Sequence, residues 1–214
     1  MKKLFWIGMM CVAGMAFAAP QGKAGQACGA QACQKASAAT GLTQAETDSL
    51  SRMSEEEKLA HDVYAFLYQK WQQPIFSHIA ASEQKHMQAV AGLLARYQLA
   101  DTAAGLGEGK FSRPDMQKLY TRLTQQGSQS LVEALKVGAE IEELDIDDLQ
   151  KAEKYVRQAD VAQVYQNLTR GSRNHLRSFY GMLQQNRASY EPKHMSKEAF
   201  LQVANSERER GRPF

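Results

Sequence analysis

The sequence predicts an all-α domain, a four-helix bundle with a long crossover between its second and third helices. Three observations carry this. Apolar residues in four long segments recur at alternating steps of three and four, which keeps them on one helix face. No segment shows sustained strand alternation or an Asn-Gly hairpin turn. The stretch between the second and third segments is too long for a tight turn and carries a short helix of its own, as in bundles with a crossover.

Ordered structure is expected to begin between Leu42 and Met53. Ser54 with Glu57 three residues on reads as a capping box, and Glu55 and Glu56 suit the positive end of a helix dipole. Helix A then runs to about Trp71 along the seam Met53, Glu57, Ala60, Tyr64, Leu67, Trp71. Gln72-Gln73 turns the chain, and Pro74 opens helix B, which runs to about Tyr97 along Phe76, Ile79, Glu83, His86, Val90, Leu93 and Tyr97. The Gly-rich run Gly105 to Gly109 leads to Ser112-Arg113-Pro114, the start of a short helix with Met116, Leu119, Tyr120 and Leu123. This helix is the crossover element between helices B and C.

Ser128 or Ser130 opens helix C, which runs to about Tyr155 along Val132, Leu135, Ala139, Glu142, Ile146 and Leu149. Leu135, Gly138, Glu142, Asp145 and Leu149 form an equally good stripe. Asp160 is the expected N-cap of helix D, which reaches about Gln185 along Val161, Tyr165, Leu168, Ser172, His175, Phe179 and Met182. Pro192 breaks the chain and Ser196 starts a short terminal helix.

The chain has 214 residues and a formal net charge of +3 with both signs interspersed, which argues against a nucleic-acid partner. Residues 1–19 read as an export signal: Lys2 and Lys3, the apolar run Leu4 to Phe17, and Ala16-Phe17-Ala18 as the cleavage site, cut after Ala18 or Ala19. The run falls short of the roughly 20 residues that span a bilayer, so no stable membrane anchor is expected. Cys11 lacks a lipobox before it. The mature chain is expected to be periplasmic or secreted. Residues 20–45 read as a flexible Ala/Gln/Gly-rich leader, 46–205 as the helical domain and 206–214 as a basic tail. Cys28 and Cys33 in the leader suit a small-loop disulfide or plain free thiols. Arg208, Arg210 and Arg212, with Glu209 among them, read as a solvated end.

The chemistry lies in the seams. Glu57, Glu83, His86, Glu142 and His175 each occupy an inward slot, and a carboxylate taken out of water is costly unless a partner or a metal compensates it. Carboxylates with imidazoles suit first-row metals such as iron and manganese. Bundle cores build di-metal sites from Glu on two helices and Glu-x-x-His on two others, because i and i+3 project to one side. Glu83 and His86 supply such a pair. His61 at the edge of a seam, His78 off its seam and His194 beyond the bundle are read as surface or capping residues.

The run Glu55 to Tyr64, then Pro74-Ile75-Phe76, Ala81 to Met87, Val137 to Ile146 and Leu168 to Leu176, resembles the ferritin-like family catalogued as DUF2202, over roughly Leu50 to Phe200. That family is similar to rubrerythrin-type di-iron proteins, in which a Glu precedes a Tyr by seven residues, as Glu57 precedes Tyr64 here. The resemblance implies a ferritin-like bundle whose metal ligands are Glu57, Glu83, His86, Glu142, Asp145 and His175, with Glu140 and Glu143 as alternatives on helix C. Ser172 stands where the rubrerythrin pattern has the Glu of its last Glu-x-x-His, and Asp145 is the carboxylate available to replace it. The cofactor implied is iron, as a di-iron pair, with manganese or another divalent metal as alternatives. The activity implied is reduction of peroxide or dioxygen coupled to iron oxidation. The chain lacks the four cysteines of a rubredoxin-like centre, so the electron donor is separate, and assembly as a homodimer is allowed. Tyr64 and Tyr165 are candidates for orienting ligands. The reading from another class is a non-catalytic metal-binding or structural bundle, whose carboxylates would pair with Arg170, Arg177 or Lys85.

Overall fold

Thr43 opens the first helix rather than Ser54. Its hydroxyl accepts the Glu46 amide (3.2 Å), and the Glu46 carboxylate reaches back to the Thr43 amide (2.8 Å). This is the reciprocal box expected at Ser54 and Glu57, placed further upstream. Ser54 is instead buried inside the helix, where its hydroxyl donates to Asp101. The computed structural model describes residues 41–211, so the expected signal segment, the Cys28–Cys33 pair and Arg212 lie outside the described residues.

Six helices and no strand occur among the described residues. They are α1 (Gln44–Trp71), α2 (Pro74–Arg96), α3 (Pro114–Gly127), α4 (Leu131–Glu153), α5 (Ala159–Gln185) and α6 (Lys197–Ala204). Proline at the first turn starts α2 and α3, where its missing N–H costs no hydrogen bond. Ser130 and Ser196 cap α4 and α6 through their side chains. At α5 the cap is Gln158, so Asp160 falls in the first turn. There it receives hydrogen bonds from the Tyr97 hydroxyl and Arg96 (2.6 and 2.7 Å). No helix among the described residues is long and apolar enough to cross a membrane.

The long helices form two closely packed pairs, α1 with α2 and α4 with α5. Contacts of α2 with α5 and of α1 with α4 join the pairs into a closed ring, α3 lies against α1 and α4, and α6 lies on α5. The core is split in two. One apolar cluster holds Leu50, Met53, Val90, Leu149, Val161 and Leu168, and the other holds Leu59, Ile79, Leu135, Leu176 and Phe179. On every long helix the residues between these clusters are polar: Glu57, then Glu83 with His86, Glu142 with Asp145, and Ser172 with His175. A charged layer thus lies between two greasy ones.

The crossover is tied down from α1. Buried Lys58 forms an ion pair with Asp62 and donates to the Gly107 carbonyl (3.0 Å), while the Gly109 amide donates to Asp62 (2.9 Å). Gly109 sits at φ +68°, a region that L side chains rarely adopt. At the α4–α5 contact, a Cβ added to Gly138 would stand 2.4 Å from the Phe179 ring, which packs on Tyr64 and Phe76. Gly138→Ala is therefore expected to cost about 1–3 kcal/mol through overpacking. The check is the thermal midpoint by circular dichroism. An unchanged midpoint would mean that Phe179 gives way freely.

Candidate metal centre

Each long helix delivers its polar layer to the same point. Because i and i+3 share a helix face, α2 presents Glu83 and His86 together, and the two imidazoles bracket the Glu83 carboxylate. His86 Nδ1 lies 2.6 Å from Glu83 Oε2, and His175 Nδ1 lies 2.8 Å from Glu83 Oε1. Glu57 from α1 joins the first imidazole (Oε2 to His86 Nδ1, 3.2 Å) and Glu142 from α4 joins the second (Oε2 to His175 Nδ1, 3.4 Å). Two triads result, Glu57–Glu83–His86 and Glu83–Glu142–His175. Within each, one ligand atom per residue lies within 4.8 Å of the others. Glu83 belongs to both. The imidazole rings run near parallel, with centroids 5.6 Å apart.

Asp145 is buried beside these groups, with the charges of Glu57, Glu142 and Glu83 acting on it, but it belongs to neither triad. Ser172 is fully buried and its hydroxyl donates to the Leu168 carbonyl one turn back (3.2 Å), so α5 contributes His175 without a carboxylate at that position.

The other buried acids have partners away from the centre, although Glu55 Oε1, both Glu56 oxygens and Glu143 Oε1 also lack a hydrogen bond. Glu46 accepts the Arg157 and Gln158 amides (2.6 and 3.1 Å). Glu143 accepts three successive amides, from Lys193, His194 and Met195. Glu140 pairs with Arg122 (2.6 Å) and Lys193. The alternatives on α4 are thus taken up by the crossover helix and the C-terminal segment. Glu57 Oε1 and Asp145 Oδ2 are buried with neither a hydrogen-bond nor an ion-pair partner among the described residues, while the Glu83 oxygens, Glu142 Oε2 and His175 Nδ1 meet only the ion-pair contacts of the layer itself. A buried polar atom of this kind is costly unless something else satisfies it. The donor set, carboxylate oxygens with two imidazole nitrogens, is the set that borderline divalent metals take.

Support around the triads comes from residues that periodicity does not mark. The Tyr64 hydroxyl donates to Glu142 Oε1 (2.6 Å). The Ser82 hydroxyl meets His175 Nε2 (3.0 Å), leaving Nδ1 directed at the carboxylates. Gly171 makes room for the other ring: a Cβ there would stand 2.6 Å from His86 Nε2. A glycine inside a long helix was the available signal for it. Tyr165, expected to orient a ligand, bonds Ser49 instead (2.8 Å). The cations of the structural alternative have other surroundings. Lys85 is exposed, the Arg170 guanidinium lies beside Gly211, and Arg177 pairs with Glu209 (2.8 Å). His61 bonds Asp62 (2.9 Å), His78 is exposed, and His194 offers its amide to Glu143.

Electrostatics follow from the packing. Burial raises Glu57 to about 7 against the pull of His86. Burial and the neighbouring acids, Glu57 foremost, push Asp145 well above the carboxylate range. Burial also pushes Glu83 upward, but the two imidazoles outweigh it and hold that carboxyl below its ordinary value. Burial disfavours charged His175, yet Glu83 and Glu142 prevail and lift it to about 10; His86 is raised well above its usual value by Glu83 and Glu57. Without metal, the imidazoles carry the positive charge that the acids require.

With this geometry in view, the chain's relatives can be placed. The family model described as "Uncharacterized protein domain (DUF2202)" matches residues 46–207. "Uncharacterized protein MJ0754" of Methanocaldococcus jannaschii is 46% identical over 170 residues, covering 79% of this chain and 92% of that protein. The crystal structure of hypothetical protein MJ0754 from Methanococcus jannaschii DSM 2661 aligns with a TM-score of 0.74 at 46% identity, covering 76% of this chain and 93% of that one.

The raised His175 makes a pH prediction for metal-free protein. A group whose pKa rises on folding stabilises fully below its unfolded value, about 6.5, and loses that contribution as pH climbs through its folded value, about 10. Urea unfolding of chelator-treated protein is expected to weaken across this window. Glu83→Gln removes the chief partner of both imidazoles and should flatten the difference. Parallel pH curves for the two proteins would disprove the pairing.

Proposed function

The chain belongs to the DUF2202 family, and we propose that it is an exported ferritin-like protein whose four long helices bundle around a di-metal carboxylate centre. The observation that carries this reading is Glu83, a fully buried carboxylate shared by two triads, with one imidazole nitrogen against each of its oxygens. One ion would be held by Glu57 and His86 and a second by Glu142 and His175, with Glu83 between them. Asp145 is the further carboxylate within reach of the layer, in place of the acid that Ser172 lacks. Four carboxylates offset two divalent charges, so loading leaves the layer near neutral and ends the mutual repulsion of buried acids.

Iron is the first choice of metal, with manganese or another divalent ion as variants. A pair of iron ions supplies electrons for reduction of peroxide or dioxygen, replenished by a separate donor. The chain's own residues set the stage for that chemistry. With Nδ1 on a metal, His175 Nε2–H would donate to the Ser82 hydroxyl 3.0 Å away, which would hold the ring in that orientation. Tyr64 keeps its proton well above the usual phenol range, through burial and the Glu142 charge, and so acts as a hydrogen-bond donor to that carboxylate. Protons leave the imidazoles as metal enters, so metal affinity falls with falling pH.

The test is metal content and stoichiometry of the purified protein, followed by stopped-flow oxidation with ferrous iron and peroxide. A pair of metal ions per chain is expected. His86→Ala and His175→Ala should each weaken binding by at least about tenfold, the scale known even for residues behind the ligands. Gly171→Ala keeps every donor atom yet crowds the His86 ring, and should also lower occupancy. Metal-free protein, with an unchanged melting temperature in Glu83→Ala, would end the proposal. Bound metal without turnover would leave a metal-holding module rather than an oxidoreductase.

A further inference from the structure

The centre has an open side. Glu57, Glu83 and Glu142 are wholly buried, whereas His175 retains 9% of its exposure. Its ring forms part of the wall of a cavity of about 680 Å³ between α2 and α5, together with Ser82. The same imidazole therefore faces the carboxylates through Nδ1 and the cavity floor through Nε2.

The cavity is far larger than a diatomic or a peroxide needs, since a water molecule takes roughly 30 Å³ of liquid volume. Its size falls in the range of sites that hold organic molecules. Ile75, Ile79 and Met182 give it apolar wall, and Arg177 and Arg208 give it positive charge. Among the described residues its lining contains no Asp or Glu. Arg177 is already paired with Glu209 (2.8 Å), whereas Arg208 is exposed to solvent. Gly181 also lines the space, and a Cβ added there meets no atom within 4 Å.

We propose that this cavity binds a small organic anion, its oxyanion head held by Arg208 and its short apolar chain extended over Ile79 and Met182 to the floor at Ser82 and His175. The site deepens the metal-centre reading and rests on it for its purpose: the substrate class is an organic acid presented to the ring that faces the metals. Apolar chain and anionic head each find a matching part of the wall. Neither an organic cation nor a bare gas molecule would use both.

Calorimetric titration of the purified full chain with hexanoate tests this, with hexanol and hexylammonium as contrasts. Saturable hexanoate binding is expected, with hexanol weaker and hexylammonium absent. Gly181→Leu places a side chain in the open space and should weaken hexanoate by at least about tenfold through overpacking. Arg208→Ala should weaken it by about two- to fivefold, the worth of an exposed charge contact. Gly181→Leu removes a helical glycine and is expected to fold, and Ser178→Leu on the same wall serves as a second blocking variant. No saturable hexanoate binding, equal affinity for hexanol, or hexanoate affinity unchanged in both blocking variants would overturn the proposal. Metal content measured on the same samples separates the readings: a wild type without metal refutes the centre, while the hexanoate titration decides the cavity independently.

Discussion

The arrangement of the helices depends on the cost of putting Glu83 out of water. An uncompensated carboxylate in a protein interior costs several kcal/mol, more than any single side-chain packing gain at the site can offset. Both Glu83 oxygens face imidazoles from different helices, His86 on its own helix and His175 on α5. The α2–α5 contact is therefore set by a charge requirement as well as by apolar fit. The same holds across the ring, since Glu57 and Glu142 bring α1 and α4 to the same two imidazoles. Two apolar clusters lie on either side and exclude water from the layer, which strengthens each of these interactions.

Burying acids serves two purposes here, separated by what the oxygens find. Where they find backbone amides or exposed cations, the acid fastens a loop to the helices. Glu46 holds the turn before α5, Asp62 the Gly-rich crossover and Glu143 the segment after α5. Where they find imidazoles and a phenol, hydrogen-bonding capacity is left over. Glu142 and Glu143 are adjacent in sequence and about 100° apart on the helix, and the first faces an imidazole and a phenol while the second takes backbone amides. Loop anchoring makes the connections rigid without drawing on the residues of the centre. The connections between the helices are thus fastened from outside the layer.

Much of this was legible in the sequence, because a helix seam is a local pattern. Glu83 and His86 stand in an unbroken three-four stripe, and the structure puts both in the layer. Glu142 and His175 were legible in the same way. Pro74, Ser130 and Ser196 marked helix starts through chemistry that needs no partner from elsewhere. What escaped notice depends on contacts distant in sequence. Periodicity allowed Glu140 and Glu143 as alternatives to Glu142, and only Arg122, Lys193 and the amides of residues 193–195 assign them elsewhere. Tyr165 lay on a seam, yet its hydroxyl found Ser49. Thr43 and Glu46 carry the same box pattern as Ser54 and Glu57, and the choice between them turned on Glu46 also reaching the amides of Arg157 and Gln158. Ser54 could not end the helix, since its burial against Asp101 favours continuation.

The asymmetry of the layer follows from α5. Opposite the Glu-x-x-His of α2, α5 carries Gly171, Ser172 and His175, with the Ser172 hydroxyl turned back onto its own helix. A glutamate at position 172 would place another anion among Glu57, Glu83, Glu142 and Asp145, where burial and then the neighbouring acids already raise Asp145 well above its usual range. Serine avoids that repulsion, and glycine beside it admits the His86 ring edge-on to the backbone. The same shortage of side-chain bulk at Gly171, Ser178 and Gly181 leaves the space between α2 and α5 unfilled. One local departure in composition thus reduces the charge of the layer and opens its most exposed member, His175, toward solvent. In the proposed centre, a helix that gives a single imidazole to metal binding is the one beside which a second ligand arrives.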